Sequence, residues 1–247
     1  MRHELFEETM REGDFSIEST KKFLDTIVRR NAEGLLACGV SSAEAKREVI
    51  KFLPQLQKFA KDFTDFGSQT GRKSVDQLAT LEGHGAPSAV RFVANAVDAI
   101  EEPVISPELG LKGNVDIVVK ATTLNSAVHA ARPSTSIMSV ELKTGHNQRT
   151  QNAHMAQLAL YMLMLQARNG SEVYPDNRAF GASESAILLY MNSESLRAVH
   201  VAPLMNEIKS LIGQRNVVAS EASRASRPRG VVLSYESEMD SSDRILK

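Results

Sequence analysis

A chain of 247 residues, 42% apolar and 24% charged, is long enough to bury a real core and has an ordinary globular composition. Its 29 basic and 30 acidic side chains leave a net charge of −1, which excludes an all-basic surface but not a local basic groove. One cysteine, Cys38, excludes an intrachain disulfide and any all-cysteine metal or iron–sulfur site within this chain, and suits a reducing compartment.

The N-terminus, MRHELFEETM, carries acids and no apolar core, so it does not read as a secretory signal. It starts within an apparent helix, as a fragment would. No apolar run approaches the roughly 18 residues needed to span a bilayer. From Ile17 the positions Phe23, Leu24, Ile27 and Val28 fall near helical spacing, with Ser16 as a cap. Ser41-x-x-Glu44 predicts a capping box opening a further helix through Val49, Phe52, Leu53, Leu56, Phe59 and Phe63, which Pro54 kinks or divides. Residues 67–85 gather Gly, Ser and Thr and read as a polar surface connection.

Strands are expected at 89–97, 114–121 and 136–143, with Pro103 and Pro107 limiting regular structure and a long hairpin loop over 122–134. An amphipathic helix over 151–168 follows, then a hairpin of 186–191 and 196–201 turning at Asn192–Ser195. Pro203 suits the first residue of a last helix running toward Ser220. Beyond it, basic residues Arg224, Arg227 and Arg229 give way to an acidic, serine-rich stretch. The expected organisation is a helical part over 1–66, a core over 86–220 and a disordered tail over 221–247.

Asp116 interrupts the apolar stretch Val115–Val119, where a buried carboxylate is costly unless it is paired or holds a metal. Alternation along the next strand puts Glu141 and Lys143 on one face and turns Leu142 toward the core. If the two strands are neighbours, Asp116, Glu141 and Lys143 converge. Two carboxylates suit a hard cation such as Mg²⁺ or Mn²⁺, and the lysine can orient water near a phosphate. A cross-strand ion pair beside a solvated glutamate is the bland alternative for so short a pattern. Two features favour chemistry: His154, Gln157 and Tyr161 share one helical face, and Gly110-Leu111-Lys112-Gly113 would let backbone approach a ligand.

Together with Glu101-Glu102, Ser106-Pro107, Ala186–Tyr190 and Arg2-His3-Glu4-Leu5-Phe6, these residues resemble the RecB-like branch of the PD-(D/E)XK nuclease superfamily. More narrowly, they resemble the nuclease domain of the eukaryotic DNA replication ATP-dependent helicase/nucleases. The resemblance implies an α/β fold: a restriction-endonuclease-like mixed central sheet flanked by helices, with a helical N-terminal part. It implies a metal held by His3, Asp116 and Glu141 with the Leu142 carbonyl nearby. Lys143 would be the catalytic lysine, and Gln157 and Tyr161 would support the site or contact DNA.

The implied activity is Mg²⁺- or Mn²⁺-dependent cleavage of single-stranded or 5′-flap DNA in replication and repair. A helicase domain in the full-length protein, a single-stranded-DNA-binding protein as partner, no membrane association, and a nuclear or also mitochondrial location come with it. A RecB- or Cas-type exonuclease and a non-catalytic single-stranded-DNA-binding remnant are the alternatives. Lys112 and Arg149 are candidate DNA-backbone contacts by proximity, while His84, His129, His146 and His200 receive no role. Three departures stand out. The family's 4Fe–4S cluster needs four cysteines that this chain lacks, leaving Cys38 to be read as a small buried hydrophobe. Met155 replaces a basic residue beside His154. No Walker A motif is present, so the chain shows no helicase motor.

Overall fold

The computed structural model describes residues 1–66, 73, 78–84, 90–125, 132–145, 152–171, 185–202 and 205–226. Residues 1–204 form one compact unit and 205–247 a second. None of the described helices is long and apolar enough to cross a membrane.

Five helices open the first unit: α1 (Arg2–Glu12), α2 (Ile17–Arg30), α3 (Ala32–Ala37), α4 (Ser42–Ile50) and α5 (Leu53–Phe63). The caps are those expected from sequence. The Ser16 hydroxyl accepts from the Ser19 N–H and the Ser41 hydroxyl from the Glu44 N–H, each satisfying one free amide of a first helical turn. Pro54 divides the second helical run, standing in the first turn of α5 where its missing N–H is harmless. Leu5, Phe6 and Met10 of α1 join Leu24, Ile27, Leu56 and Phe59 in the main core, with the rings of Phe6 and Phe59 edge to face at 4.9 Å. Cys38 corrects the sequence reading. It is exposed, because it caps the end of the short α3 rather than entering the core.

Six strands follow: β1 (Ala79–His84), β2 (Val90–Ser106), β3 (Leu111–Asn125), β4 (Ser134–Lys143), β5 (Ala186–Met191) and β6 (Leu196–Val201). The sheet is mixed. The β2–β3–β4 meander is antiparallel, β4 and β5 are parallel, and β5–β6 is the expected hairpin, its Asn192 side chain accepting from the N–H groups of Glu194 and Ser195. β1 closes the ladder, pairing Ala79–Leu81 with β2 and Glu82–His84 with β6. Between β4 and β5 lies α6 (Asn152–Ser171).

The sheet departs from expectation in three places. β1 lies inside the stretch read as a polar connection. β2 runs through Pro103 instead of ending near Val97; past Phe92 its one described strand partner is β3, so a missing N–H can face the open side. β3 and β4 extend into the expected hairpin loop, to Asn125 and from Ser134. Strand β3 is covered on both faces, which explains its continuous apolar run. Ile117, Val119 and Ala121 enter the main core, while Val118 packs with Tyr161, Met164 and Leu165 of α6.

The second unit is described as α7 (Met205–Ser226), which continues past the expected end at Ser220. Pro203, Arg149, His129, His146 and residues 227–247 lie outside the described residues.

Candidate active site

The β3–β4 register brings the sequence-read residues together. Ile117 pairs with Val140, and one step further on the Asp116 carboxylate accepts the Leu142 N–H at 2.8 Å. It is thus the amide of Leu142, on the strand with Glu141 and Lys143, that fixes Asp116. From the other side His3 reaches in from the first turn of α1, its Nε2 lying 3.1 Å from the same Asp116 oxygen. His3 and the Leu142 amide, far apart in sequence, therefore meet on one oxygen atom of Asp116.

Glu141 is 2% exposed, and Lys143 donates to one of its carboxylate oxygens. The other, Oε2, is buried without a hydrogen-bond partner among the described residues. Burial, and then the neighbouring Asp116, raise the Glu141 carboxyl above the usual range. A buried carboxylate oxygen without a donor is the environment in which a cation, or a proton, is stabilised most.

Lys143 continues into a one-way chain of hydrogen bonds. Its ammonium donates to Gln157 Oε1 at 3.3 Å, the Gln157 amide donates to the Tyr161 hydroxyl at 3.0 Å, and that hydroxyl donates to the Asn114 carbonyl at 2.6 Å. The i, i+4 spacing on α6 makes the middle step possible. A Cβ at Gly113 would stand 2.6 Å from the Tyr161 ring, so glycine here makes room for Tyr161. Gly110 takes φ 59° in the turn after Pro107. Both glycines of the 110–113 run thus serve chain packing and turning, where the sequence suggested approach to a ligand.

His154 shares this face of α6 but bonds elsewhere, its Nδ1 lying 3.0 Å from the Tyr190 hydroxyl. Burial first, and then Lys143, lower its pKa. Met155 is buried, so its place beside His154 does not offer a surface contact. Lys112 is exposed on β3 opposite Ile105. His200 is half-buried on β6, and burial lowers its pKa.

Two acids that sequence reading gave no role complete the cluster. Glu7, one turn beyond His3, is nearly buried, and its Oε1 lies 2.7 Å from His3 Nδ1. Glu101 of β2 has φ 52°, a strained value for a side chain larger than glycine's, and the Asn114 amide donates to it. The histidine, Glu101 and Asp116 each offer a donor atom, all within 4.8 Å of one another. Hydrogen bonds to Asp116 first and Glu7 second push the His3 imidazole up to about 10. The hydrogen bond with Glu7, followed by burial, pushes Glu101 up to about 7. The His3-x-x-x-Glu7 spacing was available in the sequence; the approach of Glu101 depends on how α1 lies on β2.

The donor atoms that lie together, carboxylate oxygens from Asp116 and Glu101 with the His3 imidazole, suit a divalent cation; Glu141 is not among these atoms, and one of its oxygens is held by Lys143. A four-cysteine cluster does not fit this chain, whose one cysteine is the exposed Cys38.

Comparison with known proteins agrees with the residue pattern. The family model described as DNA replication factor Dna2 matches residues 1–121. The DNA replication ATP-dependent helicase/nuclease JHS1 of Arabidopsis thaliana is 24% identical over 233 residues, covering 90% of this chain and 15% of the plant protein. DNA2 of Bos taurus, with the same description, is 27% identical over 221 residues, covering 88% of this chain and 19% of the bovine protein. The dna2 protein of Schizosaccharomyces pombe is 23% identical over 227 residues, 92% of this chain and 14% of the yeast one. The chain therefore spans less than a fifth of the length of these relatives.

Proposed function

With the chain related over most of its length to the DNA replication ATP-dependent helicase/nucleases, we propose that it is a metal-dependent DNA nuclease domain cutting single-stranded or 5′-flap DNA in replication and repair. The observation that carries this reading is the meeting of Asp116, Glu141 and Lys143 where the β3–β4 pairing ends, with His3 on the Asp116 oxygen that accepts the Leu142 N–H. In this reading the closed mixed sheet is the restriction-endonuclease-like core of the nuclease domain. A helicase domain and a single-stranded-DNA-binding partner belong to the full-length protein, acting in the nucleus.

Asp116, Glu141 and His3 would hold Mg²⁺ or Mn²⁺, joined by Glu101, whose carboxylate lies within 4.8 Å of the donor atoms of His3 and Asp116. A bound cation would acidify its water and offset charge building on the phosphate. The protein's own part is positioning. The Leu142 N–H and His3 fix the Asp116 carboxylate, and burial keeps Glu141 in a medium where charge interactions are strong. Lys143, a quarter exposed, is reachable from solvent yet held by Glu141 and Gln157. Its ammonium can hold the attacking water and place positive charge beside the scissile phosphate. Tyr161, anchored on the Asn114 carbonyl, fixes Gln157 and through it the lysine.

The test is cleavage of labelled flap DNA with Mg²⁺. The protein should cut, and Asp116→Ala should not; equal cutting by both sinks the mechanism. A non-catalytic DNA-binding remnant would bind the flap and leave it whole. A RecB- or Cas-type exonuclease would cut free ends with no preference for flaps.

A further inference from the structure

His3 touches acids through both ring nitrogens. Nε2 faces Asp116 at 3.1 Å and Nδ1 faces Glu7 at 2.7 Å, with Glu101 further from Nδ1 at 4.0 Å. Glu7 is 7% exposed and sits one helical turn from His3 on α1, so their relative placement is fixed by the helix itself. A carboxylate that buried is costly without a compensating partner, and an apolar side chain would serve packing alone at least as well. Its Oε1 is buried without a hydrogen bond among the described residues, and the donor it faces at ion-pair distance is His3 Nδ1, from which a carboxylate could only accept.

We propose that Glu7 is a positioning residue: by accepting the Nδ1 proton of His3 it fixes the ring orientation and leaves Nε2 as the nitrogen that ligates the cation. The inference rests on the metal-dependent reading above and adds the residue that makes His3 a directed ligand. The pairing follows a general pattern, in which the second nitrogen of a metal-bound histidine donates to a carboxylate that sets tautomer and orientation. Position in the fold favours it too. His3 lies in the first turn of its helix, and Glu7 ties the ring to the helix body.

Two measurements test this. The first is Mn²⁺ affinity by calorimetry for the wild type, Glu7→Gln and Glu7→Leu, with circular dichroism to verify folding. Loss of the acceptor in Glu7→Leu should weaken Mn²⁺ binding by about 10–100-fold. Glu7→Gln, which keeps a neutral acceptor, should lose less. Cleavage by both variants should return toward the wild-type rate at saturating Mn²⁺. The second is the ¹⁵N spectrum of His3 in Mg²⁺-loaded wild-type protein, assigned by comparison with His3→Ala; the proton should sit on Nδ1. Unchanged Mn²⁺ affinity in folded Glu7→Leu overturns the proposal, as does a proton on Nε2, and the spectrum decides by itself if the leucine variant does not fold. Failure of the underlying reading looks different: the wild type would then bind Mn²⁺ no better than Asp116→Ala does.

Discussion

On the α1 side of Asp116, His3, Glu7 and Glu101 crowd acids around one imidazole, and the ring and Glu101 hold their protons far above their ordinary values. On the α6 side, Lys143, Gln157 and Tyr161 form a chain in which each donor has its acceptor, ending on a backbone carbonyl. The first half is an excess of negative charge stabilised by protons that a cation could replace. The second is already satisfied and would change little on loading. An active site can thus be rigid where it positions a charged side chain and loose, electrostatically, where it takes up an ion.

The comparison can be broken from either side. The largest effect should come from the rigid half: Lys143→Ala should lower single-turnover cleavage of a flap by about 10²–10³-fold, the loss seen when one preorganised donor is removed. The loose half should respond to pH. Nε2 must be bare to ligate, and with the His3 pKa near 10 in the metal-free protein each cation bound displaces one proton. Mn²⁺ affinity should therefore rise with pH, by about tenfold per unit over roughly pH 7.5 to 8.5 for the one ring proton released and more steeply below about pH 7, where Glu101 also carries a proton, as calorimetry in buffers of different ionisation enthalpy would show. In the metal-free protein the sign reverses. The raised His3 pKa gives stability present in full below pH 6.5 and lost as pH rises toward 10, which denaturant unfolding at the two ends would register.

Smaller effects concern the packing behind the rigid half. Gly113→Ala should cost about 1–3 kcal/mol in urea unfolding, because the new methyl lands on the Tyr161 ring, and should slow cleavage as the ring shifts. Tyr161→Phe removes the hydroxyl and leaves the Asn114 carbonyl and the Gln157 amide to find other partners. It should cost about 1 kcal/mol, with a fall in turnover and little change in Mn²⁺ affinity. Equal losses of turnover and metal affinity would mean that the two halves are not separate.

Much of this was legible in sequence because the pattern that carries it is local. Asp116 in an apolar strand, Glu141 and Lys143 two apart, and Gln157 and Tyr161 at helical spacing are each visible within a few residues, and the β3–β4 register then joins them. What stayed hidden depends on distant packing. Strand β1 has few apolar residues and acquires its state by pairing with β2 and β6 at once. The approach of Glu101 to His3 needs α1 laid against β2 and a strained backbone at Glu101. Cys38 misled because its residue type is usually buried, whereas its position, ending a one-and-a-half-turn helix, leaves it in solvent. The glycines at 110 and 113 pointed to a close approach, and there is one at Gly113, by a tyrosine ring.

The central claim is that Asp116, Glu141 and Lys143 form a working centre and not a relic that only holds DNA. The most direct measurement follows binding and cutting of one labelled 5′-flap substrate in the same samples, for wild type and Lys143→Ala, with Mg²⁺ and with chelator. The predicted result is that both proteins bind the flap, the wild type cuts it when Mg²⁺ is present, and Lys143→Ala leaves it intact. A wild type that binds without cutting in Mg²⁺ or Mn²⁺, or a Lys143→Ala protein that cuts as well as the wild type, would contradict it.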